Sequence, residues 1–291
     1  MVIKRKLKTA LRILKKQGIL QLTKRSLSHI ACLLNLSYIC PQLRVCVEVD
    51  ESKLVYTILK ESHPRGVMID VGAHWGSALE PFANSDWQVY AFEPDVNNRK
   101  QLKAGFGDYK NVIIDPRALA DKEQENIDFY TSNQSSGISG LSAFHESHES
   151  TDKVNTTTLK KVIQSFDIKV IDFLKIDTEG YDFFVLKGLP WDILKPGVIV
   201  CEFEDAKTTP LGYNVYNLAN FLLDKGYKVM VSEWYPIIKY GGNHKWKKFV
   251  EYPSKLDDKK GWGNLIAVRY HTHYKLLKKY CLKYIDREND K

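Results

Sequence analysis

The segment Val67 to Gly76, VMIDVGAHWG, constrains the chain most: an apolar run ends in an acid, turns through two glycines and enters a helix-like stretch. A buried strand that stops at a tight glycine turn and feeds a helix is the opening unit of a nucleotide-type α/β sheet. What the turn holds decides the chemistry. A dinucleotide brings a pyrophosphate that needs close backbone approach, and its fingerprint G-x-G-x-x-G carries a middle glycine for that purpose. Here Gly72 is followed by Ala73, His74 and Trp75 before Gly76, so the middle glycine is missing and bulk stands in its place. Asp70, at the strand end, repels phosphate and attracts an amino group or a sulfonium cation. The turn therefore favours S-adenosylmethionine over a nicotinamide dinucleotide.

A second acid follows at a telling distance. QVYAF, Gln88 to Phe92, reads as a strand that ends in Glu93 and is stopped by Pro94. Glu93 lies 21 positions after Gly72, about the offset at which a second-strand carboxylate reaches the ribose hydroxyls of a bound nucleoside. Strand ends also carry acids simply as turn formers, and the pairing of Asp70 with Glu93 is what favours the ligand reading.

Charge is unevenly placed. Residues 1–50 hold 10 Lys and Arg against 2 Asp and Glu, so the net +8 of the chain belongs to this extension and the remainder balances to zero. Ile3, Leu7, Leu11 and Leu14 fall near helical spacing with cations between them. Such a helix can lie on an anionic membrane surface through residues 1–30, or pack on the main domain with its charges in water; both need the same stripe. The apolar stretch Ile30 to Cys40 is too short to span a bilayer and lacks a signal-peptide pattern. Five cysteines without a C-x-x-C pair argue against a disulfide framework or a structural zinc site. The expectation is a cytoplasmic protein, peripheral at most to the inner membrane face: a basic helical extension over 1–50, one main domain over 51–270 and a basic tail over 271–291.

Beyond Glu93, helix-like and strand-like stretches alternate. Val96 to Ala104 reads as a helix, Val112 to Asp115 as a strand and Ile127 to Tyr130 as a short edge strand. Thr131 to Lys153, rich in Ser, Asn, Gly and His, reads as a long loop. Its HESHE run is not H-E-x-x-H, and a loop offers no helical face to aim two imidazoles, so a solvated loop is expected rather than a metal site. Thr158 to Ser165 resumes helical spacing. Ile171 to Ile176 is a strand running into Asp177, Thr178, Glu179 and Gly180; Val198 to Phe203 is another, reaching Glu202 and Glu204. A helix over Val215 to Lys225 and strands over Lys228 to Glu233 and Asn264 to Arg269 complete the pattern. In an open parallel sheet, ligands bind beyond the carboxyl ends of the strands, where Asp70, Glu93, Asp177 and Glu179 would converge. Such crowding is costly unless a cation or a hydroxyl-rich ligand sits there.

With DVGAHWG, AFEP, KIDTEG and CEFE in order along the chain, the sequence resembles the FkbM family of S-adenosylmethionine-dependent methyltransferases over roughly Val67 to Arg269. His74 stands where the family pattern has Asn, and Lys160 where it has the acid of a T-L-D triplet. The resemblance implies a Rossmann-like class I methyltransferase fold, α/β, with a seven-stranded, mostly parallel sheet flanked by helices. It also implies methyl transfer to a hydroxyl, commonly on a sugar or polyketide, and SEWYPIIKYGG with WGNLIAVR looks like a bacterial branch associated with surface polysaccharides. Candidate cofactor contacts are Asp70, Gly72, Ala73, His74, Gly76, Glu93, Pro94 and Asp177. An alcohol proton can be taken by a carboxylate or a histidine. Asp177 and Glu179 are the first candidates for that base, then Glu202 and His244; the first two could instead only cap the next helix or bind the cofactor's amino group.

Trp234 to Phe249 interleaves Trp234, Tyr235, Tyr240, Trp246 and Phe249 with Lys239, Lys245, Lys247 and Lys248. Aromatic faces stack on sugar C–H surfaces and lysines meet phosphate or carboxylate, so this segment is the expected site for a glycan or lipid-linked sugar acceptor. It could also clamp RNA, or be core aromatics beside a solvated lysine run. Residues 51–270 carry 27 Lys and Arg against 30 Asp and Glu, which is no footprint for a polyanion, so no nucleic-acid partner is expected. A non-catalytic assembly protein is a third possibility, against which the acids at successive strand ends speak.

Overall fold

The computed structural model describes residues 49–242, 244–258 and 260–289. The chain divides into Met1–Val49 and Asp50–Lys291, and the account below concerns the second unit. The amphipathic stripe of Ile3 to Leu14, with its expected membrane contact, lies outside the described residues.

Asp50 caps the first helix, α1 (Glu51–Leu59), by accepting from Lys53 N at 3.0 Å, and Leu54, Val55, Ile58 and Leu59 form its buried stripe. The central sheet follows from β1 (Val67–Val71), β2 (Gln88–Phe92) and β3 (Val112–Asp115), with α2 (Glu80–Ala83) and α3 (Val96–Phe106) between them. After a smaller sheet of β4 (Ala118–Leu119), β5 (Gln124–Ser132) and β6 (His148–Thr157), the chain returns through α4 (Leu159–Ser165) to β7 (Phe173–Ile176). Then come α5 (Asp182–Lys187), β8 (Val198–Glu204), α6 (Asp205–Thr208), α7 (Val215–Asp224), β9 (Lys228–Trp234), β10 (Trp246–Glu251), β11 (Trp262–Val268) and α8 (His271–Asn289).

The large sheet has the order β10-β9-β11-β8-β7-β1-β2-β3. The five strands from β8 to β3 are parallel, while β11 runs antiparallel to both β8 and β9. The sheet thus has eight strands where seven were expected; the extra one is β10, paired antiparallel to β9 at the edge. Strand order reverses between β1 and β7, which opens a crevice at their carboxyl ends. Period-two alternation divides the residues: Ile69, Val71, Leu174, Ile176, Ile199 and Cys201 feed the main core. Asp70 and Lys175, paired in register, share the opposite face.

The expected long loop of Thr131 to Lys153 is strand at both its ends, with β5 running to Ser132 and β6 starting at His148, so the connection proper is 133–147. β5 and β6 pair antiparallel across it and bury Phe129 and Val154 with Ala118 in a satellite cluster. At the start of β6, His148 is not a solvated side chain. Its Nδ1 accepts from Phe144 N at 3.2 Å, which leaves the proton on Nε2, 2.9 Å from Ile138 O. Both ring nitrogens are spent on holding this connection. The segment set apart in sequence as a basic tail is the helix α8, which packs against α1 and buries Tyr274, Leu277 and Cys281. No helix among the described residues is long and apolar enough to cross a membrane.

Candidate active site

A cleft of about 200 Å³ opens at the crevice between β1 and β7. Its floor is the turn after β1. Gly72 adopts φ 76°, and a Cβ there would come 1.8 Å from Asp177 O, so the β1 turn and the end of β7 can touch only at a glycine. His74 also sits at positive φ, 49°, in a region where Asn, Asp and His are all enriched among non-glycine residues. That equivalence lets His74 stand where the family pattern has Asn.

Glu93 closes the turn from the end of β2. Its Oε2 accepts from His74 N at 2.7 Å and its Oε1 from Asp95 N at 2.9 Å. Burial pushes its carboxyl up to about 7, against the pull of these two amides. Asp95 in turn caps α3, accepting from Asn97 N and Asn98 N at 2.8 and 2.9 Å.

Asp70 lies beneath the turn with no exposed surface, and no donor reaches hydrogen-bond distance of either carboxylate oxygen. Burial raises it to about 6, with Lys175 acting in the opposite direction. Lys175 Nζ is 3.8 Å from Asp70 Oδ1, 3.1 Å from Asp177 Oδ2 and 3.4 Å from Gly72 O. Burial works against charge on Asp177, yet Lys175 and then Lys207 hold it below the ordinary carboxylate range.

A second ion cage stands beside the first. Lys207, on α6, is only 2% exposed; its Nζ is 2.6 Å from Glu179 Oε2, 3.2 Å from Glu202 Oε2 and 2.8 Å from Glu204 Oε2. Glu179 lines the cleft at positive φ, 56°, and burial pushes it up to about 7. Burial keeps Glu202 well above the usual carboxylate range. Asp182 ties this corner together: its Oδ2 accepts from Thr178 Oγ1 at 2.9 Å and its Oδ1 from Glu202 N at 2.9 Å.

The roof is the turn Ser136–Ile138 and the residues after it. His74 Nε2 lies 3.1 Å from Ser136 Oγ, Asn98 Nδ2 donates to Ser136 O at 2.9 Å, and Ser139 Oγ donates to Asp95 Oδ2 at 3.1 Å.

The Methyltransferase FkbM domain model matches residues 70–229, more than half of the chain. The chain belongs to the FkbM methyltransferase family. The protein uses S-adenosylmethionine as its cofactor, and the cleft fits it. Glu93 lines the cleft at the end of β2, where a ribose would lie, whereas Asp70 does not line it and would act on a cationic methionine portion only by its charge from beneath the floor. No curated protein matches the chain. Among solved structures it is similar to a precorrin-6y C5,15-methyltransferase from Geobacter metallireducens GS-15, with 14% identity, 77% of this chain and 91% of that chain covered and a TM-score of 0.40. It is similar to an rRNA methylase from Streptococcus thermophilus at 9% identity, 76% and 95% coverage and TM-score 0.39. A magnesium protoporphyrin IX methyltransferase from Synechocystis PCC 6803 with bound SAM shows 11% identity, 75% and 77% coverage and TM-score 0.39.

In this FkbM protein, Gly72, Ala73, His74, Glu93, Pro94, Asp177 and Glu179 line the cleft, while Gly76 turns behind it at φ 87° against Leu102 and Phe106. Glu202 joins the cluster through Lys207 rather than at the cleft wall. His244 is exposed, edge-on to Trp262, and does not line the cleft. Lys160 lies exposed in the first turn of α4, behind the Thr158 cap. Sequence reasoning passed over Lys175 and Lys207. Alternation along β7 marks Lys175 as facing the same side as Asp70; Lys207 carries no pattern of its own.

The aromatic segment divides. Trp234 Nε1 donates to Glu51 Oε1 and Trp246 Nε1 to Ser232 Oγ, both at 3.1 Å, and Phe249 is buried. Lys247 and Lys248 pair with Glu233 and Asp257. Only Tyr240 turns toward the site, donating to Glu204 Oε1 at 2.9 Å and meeting the rings of Phe144 and His145.

Proposed function

We propose that the protein is an O-methyltransferase acting on a sugar hydroxyl of a surface glycan, polysaccharide or lipid-linked precursor. The observation that carries this reading is Glu179: a cleft-lining carboxyl raised to about 7 by burial and paired at 2.6 Å with Lys207, over whose ammonium the rings of Phe144 and Tyr240 stand. A base whose affinity for a proton lies near neutrality suits removal of an alcohol proton. The bound cofactor supplies an electrophilic methyl on sulfur. The chain's own work is to hold the acceptor oxygen in line with it and to exclude water. The loop of Ser136 to Leu141 lies over the cleft for the second task, and the rings beside Lys207 offer faces for sugar C–H surfaces.

Isothermal titration with S-adenosylhomocysteine, on wild type and Asp70→Ala, comes first. Micromolar binding lost in the variant supports the site assignment. Incubation with S-adenosylmethionine and a panel of sugar, lipid-linked sugar and RNA acceptors, read by mass spectrometry, then tests the acceptor class. Methyl transfer to RNA alone would overturn the proposal. The membrane contact proposed for residues 1–30 is tested by sedimentation with anionic vesicles: a truncation lacking them should stay in solution.

A further inference from the structure

Among the described residues, Asp177, Glu179 and Glu202 place one carboxylate oxygen each within 4.8 Å of the others, a spacing that could hold a metal ion. A charge already occupies this corner. Lys207 Nζ lies within 3.2 Å of Glu179, Glu202 and Glu204, and the rings of Phe144 and Tyr240 stand 5.2 and 5.5 Å from it. The ammonium donates to Glu202, at 3.2 Å to Oε2 and 3.5 Å to Oε1, and pairs by charge with Glu179 and Glu204, so one cation faces all three glutamates. A hard divalent cation held by these acids would ask for about six oxygens and would meet that ammonium already on two of its three carboxylates, Glu179 and Glu202. The local chain builds the arrangement: Glu202 and Glu204 end β8 and Lys207 follows in the short helix α6. Gly180, at φ 101°, brings the Glu179 turn against Lys207; a Cβ there would lie 3.2 Å from the Lys207 Cβ.

We infer that Lys207 is the resident cation of this carboxylate cage, in the place where a divalent ion would otherwise bind, and that it positions Glu179 at the wall of the cleft. The positioning half rests on the function proposed above; the occupancy half does not. Lys207 is a positioning residue, since it reaches the cleft through Glu179.

The test is titration of the full-length protein with Mn²⁺, for wild type, Lys207→Ala and Lys207→Arg, with S-adenosylhomocysteine titrated into the same samples. Wild type and Lys207→Arg should take up no Mn²⁺, and Lys207→Ala should bind one equivalent at least ~10-fold more tightly than either. Adding Glu179→Gln to Lys207→Ala should abolish that binding. A folded Lys207→Ala that binds Mn²⁺ no better than wild type overturns the inference. Should Lys207→Ala fail to fold, wild type decides: a melting temperature unchanged between Mn²⁺ and a chelator upholds it, and a shift overturns it. Failure of S-adenosylhomocysteine to bind any sample would sink the methyl-transfer reading alone, because the Mn²⁺ result stands without it. Where an acceptor is in hand, transfer lost in Lys207→Ala should return in Lys207→Arg.

Discussion

Asp70 and Lys175 face each other across adjacent parallel strands with 3.8 Å between Oδ1 and Nζ, and yet neither Asp70 oxygen receives a hydrogen bond. Lys175 spends its short contact on Asp177 instead, at 3.1 Å. The fold therefore carries, beneath the floor of the cleft, a buried carboxylate that no hydrogen-bond donor satisfies.

That arrangement makes the ligand-free protein sensitive to pH. Burial raises Asp70 and Asp182 to about 6 and Glu93 and Glu179 to about 7, whereas all four titrate near 4 when unfolded. Between those limits the folded state holds protons on these four groups that the unfolded state has released, so their contribution to stability falls as pH rises from about 4 to 7, partly offset by His74, His148 and His273, which burial holds neutral. Melting without ligand should be higher near pH 5 than at about pH 7.5. Asp70→Asn should raise stability at the upper pH by on the order of 1–3 kcal/mol, shrinking to nothing near pH 4. A gain that persisted unchanged to low pH would show that the charge of Asp70 is not its source.

Gly72→Ala should be among the most damaging single changes. The new Cβ would lie 1.8 Å from Asp177 O on a backbone at φ 76°, and neither strand end can retreat without opening the sheet. A loss of about 4 kcal/mol or more is expected. Gly226→Ala is the control: its φ is 90° but nothing lies within 4 Å, so only backbone strain of about 1 kcal/mol should appear in chemical denaturation.

His74→Asn separates backbone from side chain. Asn tolerates the positive φ as well as His does, so stability should change by less than about 0.5 kcal/mol. The contact to Ser136 Oγ is lost, and amide exchange over Ser135 to Gly140 should quicken. Unchanged exchange there would mean that Asn98 and Ser139 hold the roof alone.

Asp177→Asn keeps the shape of the cleft edge and removes the partner of Lys175. Methyl transfer to an acceptor found by the screen should fall at least ~10-fold with folding intact. Turnover near wild type would take Asp177 out of the mechanism.

What could be read from the chain follows what each element buries. β1, β2, β3, β7 and β8 are apolar runs ending in acids, and the positions of Asp70, Glu93, Asp177 and Glu179 at one edge followed from strand ends alone. β5 was legible only at its centre, as the edge strand Ile127 to Tyr130, and β6 not at all, because they pack on one narrow face: in β5 only Phe129 is buried, so there is little alternation to see. β10 was hidden differently. Its lysines read as a binding surface because their neutralising partners, Glu233 and Asp257, lie well away in sequence. Lys207 follows a run of acids as one lysine among many, and only the close approach of the Glu179 turn to α6 gives it a role.

Glu93 has a further consequence. The carboxylate proposed to recognise a ribose is also the clasp between the amides of His74 and Asp95. On that proposal, ligand selectivity and loop architecture share one side chain. Any effort to retune the protein toward cofactor analogues altered at the sugar would have to leave residue 93 untouched and work from Asn98 or Ser139, because changing the reader would also undo the page it reads.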